Sequence, residues 1–219
     1  MASPVATLAS TSRRERLVRE VHDRILAAAI ELFAARGVEA VKVDDICQAA
    51  DIAQKTFFNH FPTKPHLLRE IAEGFLESLL ALLAAARDEG GSTAQQLERF
   101  FARIAAEVER GGPMHRGFVM EVVRLVHEVP PNVEQSRRLH AAFGALLREG
   151  VRAGDVTTAY PVPVLSEVVV GTFVTLMLNW LGIDGYPFRA RATAMARFLA
   201  EGLRAPAGRV ARRAGRASR

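Results

Sequence analysis

The stretch VDDICQAADIAQKTFFNHFPTK, from Val43 to Lys64, constrains the fold most. Its apolar residues Val43, Ile46 and Ala50, then Ile52, Phe57 and Phe61, mark two helical runs, 43–50 and 54–61, separated by Asp51, Ile52 and Ala53. Helices of about two turns are not stable alone in water, so they must lean on a longer partner. The preceding segment supplies one: Leu17, Val21, Ile25, Ala28, Ala29, Leu32 and Phe33 recur close to the 3.6 period across 13–36. Gly37 then stands where a C-terminal glycine is expected. A long helix, two short ones and a three-residue link is the layout of a helix-turn-helix.

The same period continues downstream. Thr63 is placed to cap a helix over 63–87, with Pro65 in its first turn, where a missing N–H costs little. Leu67, Leu68, Ile71, Phe75, Leu79, Leu82 and Leu83 form its inner face, and 88–92 is a loop. Helical patterns follow over 93–110, 114–128 and 132–151. Gly111, Gly112 and Pro113 predict a break after the first, Pro130 and Pro131 after the second, and Gly154 a turn after the third. Pro161 and Pro163 open the most apolar helix, to about 181, and a turn over 182–187 leads to a last helix over 188–203. Strand-like alternation and internal repeats are absent from the sequence, so the chain is predicted to be all-α. Hydrophobic residues make up 49% and aromatics only 7%, which suits helices with a substantial core.

Net charge is a poor guide to partners here. The chain carries +5, but six arginines and no acid lie in 204–219. Without them the remainder holds 23 basic against 24 acidic residues. Any binding of nucleic acid by the folded body must therefore rest on local placement of charge. Cys47 is the single cysteine, which excludes an intrachain disulfide and fits a reducing, cytoplasmic setting. Residues 1–12 lack the basic start and apolar core of a signal peptide. The apolar segment 162–181 is interrupted by Pro163, Ser166, Glu167, Thr172, Thr175 and Asn179, so we expect a helix buried between protein surfaces rather than a membrane span.

Once the apolar positions of the second short helix are turned inward, Gln54, Lys55, Thr56, Phe58, Asn59 and His60 remain outside. Gln and Asn match adenine edges bidentately, Lys reaches guanine or phosphate, and a Thr methyl meets the thymine methyl. His60 and Lys64 are placed for phosphate contact, Lys64 at the start of a helix whose N–H groups attract anions. Taken alone, this pattern fits a solvated polar face equally well.

The segment from Ile25 to Leu68 closely resembles the N-terminal domain of the TetR family of transcriptional regulators. Its landmarks are Ile25, Ala28, Ala29, Leu32, Phe33, Gly37, Val43, Ile46, Ala49, Ala50, Thr56, Phe57, Phe58, His60, Phe61 and Lys64. The resemblance implies a recognition helix with its entry at 53–60, and a backbone contact from Lys64. The chain departs from the family pattern at four places. Asp51 replaces a turn glycine, and Ala53 replaces a capping serine. Lys42 replaces a capping threonine and is itself a candidate phosphate ligand, while Phe58 replaces a tyrosine. The DNA-binding set is thus Lys42, Ala53, Gln54, Lys55, Thr56, Phe58, Asn59, His60 and Lys64.

The resemblance divides the chain into a disordered 1–12, a helix-turn-helix domain at 13–64 with a connecting helix at 63–87, a ligand-binding and dimerisation domain at 88–204, and a basic disordered tail at 205–219. Leu165, Val168, Val169, Thr172, Phe173, Leu176 and Met177 form an apolar face on 164–181. Ala192, Met195, Ala196, Leu199 and Leu203 form another on 188–203. Two such hairpins would make a four-helix homodimer interface; the same faces also fit an intrachain core. An apolar cavity for an unknown small-molecule inducer is expected among Phe101, Phe118, His127, Phe143, Phe173, Met177 and Trp180, each of which also suits simple packing. Scattered histidines and a lone cysteine match no metal spacing, and no catalytic grouping is evident, so neither enzyme activity nor a cofactor is expected. The expected function is that of a dimeric, ligand-responsive repressor of palindromic double-stranded DNA sites. The alternative is a helical protein-interaction adaptor with a basic tail.

Overall fold

The computed structural model describes residues 13–128 and 133–206, apart from the side chains of 112–115, 118, 121–128 and 133. The tail expected at 1–12, residues 207–219 of the tail expected at 205–219, and the break at Pro130 and Pro131 lie outside the described residues. Eight helices are described: α1 Arg13–Arg36, α2 Val43–Ala49, α3 Gln54–His60, α4 Lys64–Asp88, α5 Thr93–Glu128, α6 Val133–Ala153, α7 Val162–Gly182 and α8 Phe188–Gly202. Extended pairing among the described residues is confined to one antiparallel bridge, Val156 to Arg204. The chain forms two compact units, Met1–Ile71 and Ala72–Arg219, whose boundary falls within α4.

In the first unit, Ile25, Ala28, Ala29 and Phe33 of α1 are buried. They meet a core that includes Ile46, Cys47, Ala50, Phe57, Phe61, Leu67, Leu68 and Ile71. Leu17 and Val18 stay about half exposed, so the first turns of α1 stand outside this core. Gly37 has φ +78°, and its N–H reaches Phe33 O at 2.9 Å, closing the helix in the left-handed region where a Cβ would be strained. Burial pushes the Cys47 thiol pKa up, with a further rise from Asp44, which keeps it protonated and unreactive.

In the second unit α5 packs on α8, and α6 on α7. The expected break at Gly111, Gly112 and Pro113 does not occur, and α5 runs unbroken for 36 residues. Ile104, Ala105 and Val108 before the interruption and Val119 after it belong to one apolar core. Burial of both halves outweighs the local cost of glycine and proline. The start of α5 is held by Asp155 of the α6–α7 loop, whose carboxylate accepts the Thr93 N–H at 2.7 Å and the Thr93 hydroxyl at 2.9 Å. The Thr157 N–H to Leu203 O bond (2.8 Å) and the Ala205 N–H to Asp155 O bond (3.1 Å) tie the end of α8 to the same loop. Pro161 precedes α7, and Pro163 sits in its first turn, as expected from a ring that needs no intrahelical donor there.

Candidate functional site

Backbone capping sets the angle between α2 and α3. The Lys42 N–H donates to the Asp45 carboxylate at 2.8 Å, half of a capping box that fixes the start of α2. The turn after α2 needs one left-handed residue, and Asp51 supplies it at φ +51°. An aspartate tolerates this conformation better than most L-residues. Ala53 then caps α3 through its backbone alone, its carbonyl accepting from Thr56 N–H at 2.9 Å and Phe57 N–H at 3.2 Å. Phe57 and Phe61, fully buried, anchor α3 from beneath with ring centroids 5.8 Å apart.

Ala53, Gln54, Lys55, Phe58 and Asn59 consequently face outward, and Thr56 is half-buried beside them. Lys55 and Asn59 lie one turn apart and share a face. The Gln54 amide donates to the Asp44 carboxylate, which holds its side chain towards α2. Lys42 is exposed at the start of α2. Phe58 is 47% exposed and stacks edge-on against Phe57, so it offers an apolar surface where a tyrosine would offer a hydroxyl.

Two residues expected to meet phosphate are half-buried. Lys64 is turned inward. Its ammonium donates to the carbonyls of Val38 and, at 2.5 Å, Val41, and it lies 5.6 Å from the Phe33 ring centroid. Burial lowers its pKa, while Glu39 and Asp45 act in the opposite direction. The cause is local: both carbonyls belong to the α1–α2 connection, which has no helical partner for them, and the first residue of α4 satisfies them. His60 is half-buried with its ring 5.5 Å from that of His22, which stacks on Phe61 at 4.7 Å and bonds to Glu70. Burial first, then the neighbouring His22, lowers the His60 pKa from 6.5, against an upward pull from Glu70. At neutral pH His60 is therefore an uncharged ring.

In the second unit the expected ligand lining is mostly filled space. Phe101 and Phe143 are fully buried and Phe173 nearly so. All three pack around Phe100 at centroid distances of 5.5, 5.2 and 5.9 Å respectively. Met177 lies partly buried against this core. The side chains of Phe118 and His127 lie outside the described residues. Trp180 differs from the packed phenylalanines: it lines an open cavity at the α7–α8 corner together with Tyr186 and Phe188, which sequence reasoning did not select. The only signal for those two was an aromatic pair flanking Pro187 at a helix start.

The expected dimer faces also need correction. Leu165, Val169, Phe173 and Leu176 of α7, and Ala192, Ala196, Leu199 and Leu203 at α8, are buried within the subunit. Of the expected α7 face Val168 does point outward, beside Val164, Val174 and Leu178, with Phe198 of α8 at 71% exposure.

Comparison with known proteins fits this geometry. Residues 25–71 match the family of bacterial regulatory proteins described as the tetR family. Over these residues the chain carries the N-terminal region of this family. The transcriptional regulator TcmR of Streptomyces glaucescens is 30% identical over 154 residues, covering 65% of this chain and 66% of that one. The repressor KstR2 of Mycobacterium tuberculosis is 35% identical over 98 residues, covering 43% and 48%. The chain thus matches just under two thirds of the first relative's length and about half of the second's. Among solved structures, Salmonella enterica GusR superposes with a TM-score of 0.69 at 19% identity, covering 88% of this chain and 97% of that one. Thermus thermophilus FadR in complex with lauroyl-CoA gives 0.60 at 21% identity, covering 85% and 98%. At these identities the likeness is one of fold.

Proposed function

We propose that the chain is a ligand-responsive transcriptional regulator, a repressor that binds a palindromic DNA site as a homodimer in the cytoplasm. The observation that carries this reading is the outward set on α3, Gln54, Lys55, Thr56, Phe58 and Asn59, held on a buried Phe57–Phe61 anchor beyond a left-handed turn at Asp51. In this reading α3 enters the major groove, Lys55 and Asn59 meet base edges and Gln54 exchanges Asp44 for a base. Thr56 and Phe58 offer apolar contact to thymine methyls, and Lys42, the backbone at Ala53 and the neutral His60 contribute phosphate contacts. Lys64 serves the fold of the first unit instead.

A two-fold site calls for a two-fold protein. The exposed apolar residues of α7 and α8 supply a surface of the kind that marks an interface, and a second copy would cover it. Regulation follows if a small molecule prefers a conformation whose two α3 helices no longer match the half-site spacing. DNA and ligand then weaken each other by the same factor. The regulators among the relatives and the acyl-CoA-bound FadR fold neighbour support a non-enzymatic, ligand-responsive role.

Substituting Lys55 and Asn59 together by alanine tests the proposal in a gel-shift titration against a selected duplex. The double variant should lose sequence preference, by roughly 5- to 150-fold for each base contact removed, with its melting transition unchanged. Retained preference would place the reading surface elsewhere.

A further inference from the structure

The cavity at the α7–α8 corner has a volume of about 700 Å³ and is broadly open to solvent. Its size falls within the roughly 300–1,000 Å³ of small-molecule sites. The wall is built from Val108 of α5, Trp180 of α7, Tyr186 of the connecting turn and Phe188 of α8. Trp180 and Phe188 are 8% and 5% exposed, with ring centroids 5.8 Å apart at 69°, so the aromatic wall is rigid. This is a different place from the phenylalanine core, where rings already occupy the space.

Two arginines stand at the rim. Arg189 is held by Glu109, Nε to Oε1 at 2.6 Å, so neither charge is open to exchange without losing a fork-shaped pair. Arg116 is held differently. One of its nitrogens donates to Leu181 O at 2.9 Å, which fixes the guanidinium over the cavity. Another donates to Asp184 at 2.8 Å, and the Asp184 side chain is 99% exposed. An ion pair with a partner so fully in water contributes little. Arg116 is thus a cation already oriented by the backbone, whose acidic partner is cheaply displaced.

We propose that this cavity is a small-molecule site for a planar, mostly apolar acid, its rings against Trp180, Tyr186 and Phe188 and its carboxylate replacing Asp184 on Arg116. Binding at this site stands on the geometry alone. Its consequence for DNA rests on the reading of the chain as a regulator. Ala190 lines the cavity and opens the exposed Ala190, Ala194 and Phe198 stripe of α8, so an occupant bears on the proposed dimer surface.

The test uses the full chain and 2-naphthoate as probe, with 2-naphthamide as the uncharged isostere, in titration calorimetry. Saturable binding of one naphthoate per subunit is expected, at least tenfold tighter than the amide. Arg116→Ala should abolish that discrimination, and Tyr186→Ala should weaken both probes by at least fivefold. Melting curves of both variants should stay cooperative. The chain's single tryptophan, Trp180, reports occupancy by its near-ultraviolet circular dichroism. Absence of binding at millimolar naphthoate, or binding that both variants leave unchanged, overturns the site. Naphthoate binding as described in a protein without sequence-preferring DNA affinity would leave the site standing and remove the regulator reading. Sequence-preferring DNA binding without naphthoate binding would do the reverse.

Discussion

Removing the Lys64 ammonium separates two accounts of one residue. The resemblance assigns Lys64 to the DNA backbone, whereas the structure turns it onto the carbonyls of Val38 and Val41 and over Phe33. Hydrogen bonds from a charged donor contribute about 1.5–3 kcal/mol each. Lys64 is half-buried, and burial lowers its pKa, so part of that gain is offset by desolvation. Water can also reach the two carbonyls once the side chain is gone. We therefore expect Lys64→Ala to destabilise the protein by about 2 kcal/mol, read as a lower urea midpoint at unchanged slope. The same variant is then titrated with a selected duplex between 50 and 200 mM salt. A lost phosphate contact would reduce the slope of log affinity against log salt by about 0.9. With an inward lysine the slope should not change. An unaltered urea midpoint together with a reduced slope would refute the structural assignment and restore Lys64 to the DNA.

Other expectations are equally specific. A Cβ at Gly150 would lie 2.2 Å from the Thr93 hydroxyl and 2.7 Å from Asp155 Oδ1, so Gly150→Ala should cost about 1–3 kcal/mol, measured by urea unfolding. Wild-type stability at pH 5.5 and 7.5 tests His60: its folded pKa lies below 6.5, so its contribution is present above pH 6.5 and lost as pH falls below it. His60→Gln should shrink the difference between the two pH values, and an unchanged difference would show that the site does not titrate in this way. Val168→Glu with Phe198→Glu should convert a dimer into a folded monomer in sedimentation equilibrium, because both residues are outward and apolar. A dimer that survives both charges would place the interface elsewhere.

The parts legible from sequence were those fixed by local physics. The bounds of α1 were set by an apolar period closed by Gly37, and the α2–α3 turn by a residue able to adopt positive φ at Asp51. Other features depended on contacts far away in sequence. Gly111, Gly112 and Pro113 signal a break, but burial on both sides keeps α5 whole. On α7 the sequence is apolar all round, so periodicity could not separate the buried Leu165, Val169 and Leu176 from the outward Val164, Val168 and Leu178. Lys64 read as a surface cation because nothing local announces that Val38 and Val41 lack partners. The expected cavity residues Phe101, Phe143 and Phe173 are the right type for a pocket, but they satisfy one another.

The central claim is that two α3 helices read one two-fold DNA site. Selection of bound duplexes from a random library by the full chain, at near-physiological salt, tests it most directly. The account predicts enrichment of a single palindromic motif, with half-sites about one helical turn apart, and its loss in the Lys55→Ala, Asn59→Ala double variant. Salt-sensitive binding with no enriched motif would contradict it.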